Sequence, residues 1–395
     1  MTQTDNRDGA VAVAEPERVV HRPGTLAVDS LVAQVAAQRS RIEELRHVPR
    51  DVVALFKAAG VYRAATPRRF GGDALPPAEF LRLVEAISVA DGSAGWVASF
   101  GSATTYLAAL PLSTQAEIYR DGPDLAFSAG IFPVQPAEAV PGGYLVNGKW
   151  SFASGCMGAD LLGVGISTGE PGVAGKPLTA VLHPSKVEIV DHWDVVGMQG
   201  TGSHDLRVDD VVVDPAWTFV RGGAPQVDEP LYRYPTIAYA AQVLAVVGLG
   251  VARAALDHAE GAGGDRRSLT ANSKAAERPT YRISLARAEA ELRSARAWFY
   301  EAAESVYDRV LSGDEVTRED HSLLRLSAAH AARTGFSVTQ AAYSLGGIAA
   351  IQSAGPLQRL LRDASVVPQH AFLTENIYDG AGSVFLGAEP FPGYV

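Results

Sequence analysis

The spacing of hydrophobic and polar positions divides the chain into three stretches. From residue 26 to about residue 120, apolar side chains recur every three or four positions, as at Leu31, Val35 and Ile42, which predicts amphipathic helices. Between about 122 and 220 the spacing shortens to strand-like runs separated by turn pairs such as Asn147-Gly148. The remainder returns to helical spacing. This order predicts an α+β chain with an N-terminal helical domain (25–121), a central antiparallel β-barrel or sandwich (122–226) and a C-terminal helical bundle (227–395).

The two ends of the chain differ in character. Residues 1–24 are polar, small or charged without periodicity, which predicts a mobile tail. The C-terminal region carries three long helical patterns, and Gly355–Asn376 supplies the fourth helix of a bundle. Pro368 interrupts that fourth pattern and favours a new helix start, which would place His370 in the first turn. A histidine there would be neutral in the field of the helix N-terminus and could give or take a proton near pH 7, although a lone histidine is also an ordinary hydrogen-bonded group.

Composition narrows the function classes. The net charge of −10 argues against a nucleic-acid-binding face. A single cysteine, Cys156, excludes an intrachain disulfide and a cysteine metal cluster, and the nine histidines show no metal-ligand spacing. No apolar run approaches the length of a membrane span, and the N-terminus lacks the pattern of a signal peptide. We therefore expect a cytoplasmic protein without a metal site.

Three local motifs, in this order on this architecture, resemble the acyl-CoA dehydrogenase superfamily. Gly148–Gly155 (GKWSFASG) is similar to the strand that lies against the flavin ring, and Gly197–Leu206 (GMQGTGSHDL) to the turn and strand that close the β-domain. Arg362-Asp363-Ala364 matches the triplet that precedes the active-site segment of the dehydrogenases. The resemblance covers about residues 25–385 and implies an acyl-CoA dehydrogenase-like fold that binds flavin.

A departure from the dehydrogenase pattern bears on function. Many dehydrogenases place a glutamate base shortly after the Arg-Asp pair, whereas Val367–Ala371 contains no carboxylate and Glu375 lies beyond it. Gln369-His370 and the segment Asp91–Trp96 (DGSAGW) instead resemble the oxygenase components of two-component flavin-dependent monooxygenases.

This second resemblance implies a reaction and its partners. Reduced FMN or FAD would arrive from a separate NAD(P)H:flavin reductase and react with O2, and a flavin C4a-hydroperoxide would hydroxylate a phenolic, indolic or polycyclic aromatic small molecule. The alternatives are an acyl-CoA dehydrogenase-type enzyme with a displaced base, an N-oxygenase of an amine, and a scaffold that has lost its flavin.

The resemblance also implies roles for individual residues. His370 would be the acid/base or peroxide-contacting group, and Ser154 would lie near flavin N5, unless a one-residue slip of the strand places Ala153 there instead. The other cofactor-binding candidates are Trp96, Trp150, Phe152, Arg253, Arg278, Arg282, Gly346 and Gly347. The substrate-side candidates are Ser102, Thr104 and Ser128. A neighbouring subunit usually completes the phosphate end of the flavin site in this fold, which implies a homotetramer or a dimer of dimers.

The segment after Trp96 bears on the substrate. Relatives that act on phenols often carry a histidine there, beside the substrate hydroxyl, whereas Phe100–Thr105 contains none. A simple phenol is therefore disfavoured, and indoles, polycyclic aromatics and amine nitrogens remain open.

Overall fold

The N-terminal part of the chain is helical, as its periodicity predicts. The computed structural model describes residues 26–168, 177–265 and 273–394, so the predicted tail, residues 1–24, lies outside the described residues. Asp91 ends the third helix and begins the fourth, where its Oδ1 accepts a hydrogen bond from Ala94 N–H (2.9 Å). The helices of this part are α1 (Val28–Leu45), α2 (Arg50–Ala58), α3 (Pro77–Ala90), α4 (Gly92–Ser99), α5 (Thr104–Leu107) and α6 (Leu112–Ile118).

The central part forms one eight-stranded sheet within the described residues, in the order β6-β7-β3-β1-β4-β5-β8, with β2 paired to β3. The strands are β1 (Phe127–Pro136), β2 (Glu138–Val140), β3 (Gly143–Ala153), β4 (Leu161–Ser167), β5 (Leu178–Leu182), β6 (Glu188–Val190), β7 (His204–Val213) and β8 (Thr218–Val220). The prediction of a purely antiparallel domain was wrong for one pair, because β1 and β4 run parallel from Phe127↔Leu161 to Gly130↔Val164. After β3 has run antiparallel along one edge of β1, the chain crosses to the other edge and resumes the direction of β1.

The C-terminal part is the predicted bundle. Its helices are α7 (Pro230–Arg233), α8 (Thr236–Asp265), α9 (Pro279–Ser312), α10 (Arg318–Gly346), α11 (Pro356–Val366) and α12 (Asn376–Phe385). Helix α10 packs against α8, α9, α11 and α12. It approaches α8 closely at Gly335, where a Cβ would lie 2.6 Å from the Gly248 carbonyl oxygen. The segment Thr236–Ala262 is long and apolar enough to cross a membrane, but 83% of its most apolar window is buried, as in a core helix.

The segment after α11 differs from its prediction. Helix α11 ends at Val366, and Pro368 lies in a single 3-10 turn, Val367–Gln369. His370 follows with extended backbone (φ −64°, ψ 138°), and the next helix begins only at Asn376. The placement of His370 in the first turn of a new helix was therefore wrong. Leu373 N–H instead bonds to the His370 carbonyl oxygen (2.8 Å), which closes a turn before any helix can start.

Candidate active site

The end of β3 changes face within three residues. Phe152 adopts a left-handed backbone (φ +64°) and leaves 70% of its surface exposed, with the edge of Trp193 against its ring. Ala153 is fully buried in the sheet core, whereas Ser154 turns away from that core toward Trp96. A left-handed phenylalanine is uncommon and breaks the two-residue alternation of a strand. The strand end consequently presents Phe152 and Ser154 while it buries Ala153.

The hydroxyl groups of Ser154, Ser203 and Thr201 form a hydrogen-bonded relay. Trp96 Nε1–H donates to Ser154 Oγ (3.3 Å), Ser154 Oγ lies 2.6 Å from Ser203 Oγ, and Ser203 Oγ lies 2.7 Å from Thr201 Oγ1. Thr201 Oγ1 donates its proton to the Met198 carbonyl oxygen (2.9 Å). Because each hydroxyl carries one proton, Ser203 must donate to Thr201, and Ser154 must donate to Ser203. Ser154 is thus left with an oxygen lone pair that can accept a hydrogen bond from a ligand N–H.

Ser128 supports this corner from β1. Its hydroxyl donates to the Ser154 carbonyl oxygen (2.7 Å), and both residues are buried. Because that proton is used on the backbone, Ser128 holds the strand end in place rather than presenting its hydroxyl proton to a substrate.

His370 lies on the other side of Trp96. The edges of Trp96 and Phe372 enclose its ring, with centroid separations of 5.9 and 5.1 Å. Burial, and then the charge of Arg221, lower the pKa of His370 to about 4. Phe372 N–H donates to Nδ1 (3.3 Å), so the neutral ring carries its proton on Nε2. This corrects the expectation of a group that titrates near pH 7: in the structure His370 is a neutral Nε2–H donor.

Arg221, which the sequence did not single out, lies beside this histidine. Its guanidinium carbon is 4.9 Å from the Tyr106 ring centroid and 5.0 Å from that of Phe372. Its Nη2 donates to the Tyr106 hydroxyl (3.1 Å). Within the described part of the chain, no carboxylate forms an ion pair with Arg221. The sequence offers little signal for this cluster, because Arg221-Gly222-Gly223 has the composition of a solvated turn.

Three predicted contacts use their hydrogen-bond protons elsewhere in the fold. Trp150 has no exposed surface, and its Nε1–H donates to the Gly165 carbonyl oxygen inside the sheet core (2.7 Å). Ser102 and Thr104 donate to the carbonyl oxygens of Ser99 (2.8 Å) and Gly101 (3.2 Å) in their own helical turns. These hydroxyl protons are spent on the backbone, as is common where Ser and Thr lie in helices.

The predicted phosphate-binding arginines have other partners. Arg253 forms ion pairs with Asp257 (2.8 Å) and Glu289 (2.6 Å), which neutralise its charge. Arg282 donates to the carbonyl oxygens of Ala276 (3.0 Å) and Glu277 (2.8 Å) and so caps a 3-10 turn. Both arginines thus have partners within this chain, and their role in binding a phosphate stays a prediction.

The two predicted glycines lie at the end of α10. Gly346 lines a groove of about 80 Å³ together with Tyr281 and Leu357. Gly347 follows in a backbone conformation (φ +52°, ψ −146°) that residues other than glycine rarely adopt. Their role in binding flavin stays a prediction.

Asp363, from the Arg-Asp-Ala motif, joins the bundle to the sheet. Its Oδ1 accepts a hydrogen bond from Met198 N–H (2.6 Å), and its side chain is buried. Burial, and then the nearby carboxyl of Asp91, raise the pKa of Asp363 to about 7.

Asp363→Asn is expected to change how stability depends on pH. Between the unfolded value of 3.8 and the folded value of about 7, the native state holds a proton on Asp363 that the unfolded state has lost. The free energy of unfolding of the wild type should therefore fall, relative to the variant, by up to about 1.4 kcal/mol per pH unit as pH rises through this window. Chemical denaturation of both proteins at several pH values measures the difference. A constant difference from pH 4 to pH 8 contradicts the raised pKa.

Ser154 and His370, which both contact Trp96, fit a planar heteroaromatic ring that carries an N–H group at its edge. Ser154 offers an acceptor, His370 offers a neutral donor, and Phe152 leaves an aromatic face uncovered. Glu375, the first carboxylate after the Arg-Asp pair, is exposed and ion-paired with Arg333, so it does not occupy the position of a buried dehydrogenase base. A reduced flavin, whose N5 carries a proton, matches this donor and acceptor set.

The fold and this site define a flavin enzyme of the acyl-CoA dehydrogenase architecture, and residues 242–375 match the family model "Acyl-CoA dehydrogenase, C-terminal domain". The chain is 52% identical to the indole-3-acetate monooxygenase of Pseudomonas putida, with 91% of this chain and 92% of the relative covered. It is 32% identical to the oxygenase component of the FADH(2)-dependent resorcinol hydroxylase of a Rhizobium species, with coverage of 88% and 90%. The crystal structure of 3-HSA hydroxylase from Rhodococcus sp. RHA1 superposes with a TM-score of 0.87 at 27% identity, over 93% of this chain and 98% of that one.

The chain belongs to the flavin-dependent monooxygenases of the acyl-CoA dehydrogenase fold. It is therefore an enzyme that uses reduced flavin and O2, and the dehydrogenase alternative is set aside.

Proposed function

We propose that this protein oxygenates the aromatic ring of an indole carboxylic acid, with indole-3-acetate as the candidate substrate. The observation that carries the proposal is the similarity over nine-tenths of both chains to the indole-3-acetate monooxygenase of Pseudomonas putida. The site agrees with this proposal, because oxygenation of an indole does not require the base that would ionise the hydroxyl group of a phenolic substrate. His370 is a neutral donor, and the hydroxyl protons of Ser102 and Thr104 are used within their own helical turns.

The residues of the site would divide the work. Bound reduced flavin would supply the electrons that allow O2 to give one oxygen atom to the substrate and release the other as water. Ser154 would accept a hydrogen bond from the N–H of the reduced ring, because its own proton is committed to Ser203. His370 would donate from Nε2, and the uncovered ring of Phe152 would exclude water from the cofactor face.

The partners follow from the same chemistry. A separate NAD(P)H:flavin reductase would supply the reduced flavin, which places the pair in the cytoplasm, where NAD(P)H is available. We further propose a homotetramer. Ile348 and Ile351 leave 67% and 62% of their surfaces exposed close to the groove lined by Gly346, and exposed apolar side chains beside a groove favour contact with another subunit. That subunit would also supply further cations to the phosphate end of the flavin site, because the charge of Arg253 is neutralised within this chain.

The experiment supplies the purified protein with chemically reduced FMN or FAD, indole-3-acetate and ¹⁸O₂. We expect a product that carries one labelled oxygen atom per molecule, detected by mass spectrometry, with no product when the protein is omitted. Consumption of reduced flavin with hydrogen peroxide as the only oxygen product, across indole acids of different side-chain length, would overturn the proposal.

A further inference from the structure

We propose that Arg221, with Tyr106, binds the carboxylate of the substrate and makes the enzyme selective for aromatic acids over their neutral analogues. This inference deepens the proposed function and rests on it for the identity of the ring. It assigns a binding role to a residue outside every motif that identified the site.

The Arg221 guanidinium is held ready for an anion. It lies over the rings of Tyr106 and Phe372, at 4.9 and 5.0 Å, and donates one hydrogen bond to the Tyr106 hydroxyl. The Tyr106 ring is itself stacked on Phe219 (6.5 Å, 7° between planes). Aromatic rings on a guanidinium restrict its motion without neutralising it. The Arg221 side chain would therefore lose little conformational entropy when a carboxylate binds.

Arg221 differs in its charge balance from two other partly buried arginines, Arg253 and Arg362. Arg253 is paired with Asp257 and Glu289, and Arg362 lies 3.2 Å from Glu43. No described carboxylate plays this part for Arg221. A guanidinium presents its N–H groups in a planar fork that matches the two oxygens of a carboxylate. A substrate acid would supply the missing negative charge.

The position is right for an arylacetic acid. Phe372 neighbours both functional groups, with its ring centroid 5.0 Å from the Arg221 guanidinium carbon and 5.1 Å from the His370 centroid. If the carboxylate binds Arg221, the short side chain of an arylacetic acid would therefore leave its aromatic ring near His370. The electrostatic effect of Arg221 on the His370 pKa agrees with this proximity.

Three parts of the chain build this anchor. Tyr106 comes from α5, Arg221 directly follows β8, and Phe372 belongs to the segment between α11 and α12. The site that would bind the carboxylate is thus assembled only in the complete fold.

The test measures steady-state product formation with indole-3-acetate and with its neutral analogue indole-3-acetamide. In the wild type we expect a clear preference for the acid. Arg221→Gln should raise KM for the acid by roughly 10- to 100-fold, because a charge-assisted hydrogen-bond pair is lost. KM for the amide should stay within about 3-fold, and Arg221→Lys should recover part of the preference. Arg82→Gln is the matched control. Arg82 lies on α3, and its guanidinium carbon is also close to an aromatic ring, 4.5 Å from the ring centroid of Tyr300.

Two further measurements make each outcome decisive. Thermal unfolding of each variant shows whether the fold is intact, and acid–amide pairs built on phenyl and naphthyl rings separate the anchor from the ring. A preference for acids that follows Arg221 on a non-indole ring would support the anchor while contradicting the indole proposal. Two results would contradict the anchor. One is a preference for indole rings that is equal for acid and amide, and the other is an equal rise in KM for acid and amide in Arg221→Gln.

Discussion

His370→Ala is expected to leave the protein folded but to divert most of the oxygen that it consumes into hydrogen peroxide. The neutral imidazole is held between Trp96 and Phe372 with its Nε2–H available, and alanine offers no donor at that position. We expect the ratio of product formed to reduced flavin consumed to fall by roughly 10-fold or more. Product and peroxide are measured in the same reaction.

The matched control is His330→Ala. His330 also packs against a tryptophan, Trp298 (5.4 Å), and burial also lowers its pKa, but it lies on α10 outside the site. Coupling should be unchanged in this variant. If both alanine variants couple as well as the wild type, His370 has no part in the reaction.

The pKa of His370 allows an experiment to distinguish a neutral hydrogen-bond donor from an acid that releases its proton. With a pKa of about 4, the ring is neutral from pH 5.5 to pH 8, so coupling should be flat over that range. His370→Asn, which keeps a neutral N–H donor, should recover part of the coupling that alanine loses. An acid limb near pH 6.5, or an asparagine variant no better than alanine, would mean that the histidine works as an acid instead.

Trp150→Ala is expected to lower the free energy of unfolding by about 3–5 kcal/mol, a large share of the stability of an ordinary domain. The ring fills the sheet core, and its removal leaves a cavity and breaks the hydrogen bond to the Gly165 carbonyl oxygen. Trp150→Phe should cost less, because it keeps most of the volume and loses chiefly the hydrogen bond. Urea denaturation followed by circular dichroism measures both.

Phe152→Ala provides the comparison on the same strand. Its side chain is mostly exposed, so its removal should change the free energy of unfolding by only about 0.5 kcal/mol. We expect this variant to bind reduced flavin more weakly while Trp150→Phe binds it normally. The reverse pattern would restore Trp150 as the flavin contact.

The order of elements was predictable because it depends on local spacing. The predicted helical, strand-like and helical stretches coincide with α1–α6, β1–β8 and α7–α12. The parallel pairing of β1 with β4 was not predictable, because the direction of a strand relative to a distant one leaves no trace in its own alternation.

The candidate site was predictable in part. The motifs pointed to Trp96, Ser154 and His370, and the structure places all three within one connected set of contacts. The sequence could not separate Trp150 from Phe152, since only the left-handed turn at Phe152 decides which ring is buried. Arg221 was missed because an unbalanced charge depends on which side chains the fold brings near it.

Met198 links the C-terminal bundle to the hydroxyl relay. Its N–H bonds to Asp363 of the bundle, and its carbonyl oxygen receives the last proton of the hydroxyl relay that ends at Ser154. One residue therefore joins helix α11 to the hydroxyl groups that orient the proton of Ser154, whose part in catalysis stays a prediction. A displacement of α11 that moves Asp363 would therefore move Met198, the acceptor on which the proton directions of Thr201, Ser203 and Ser154 depend.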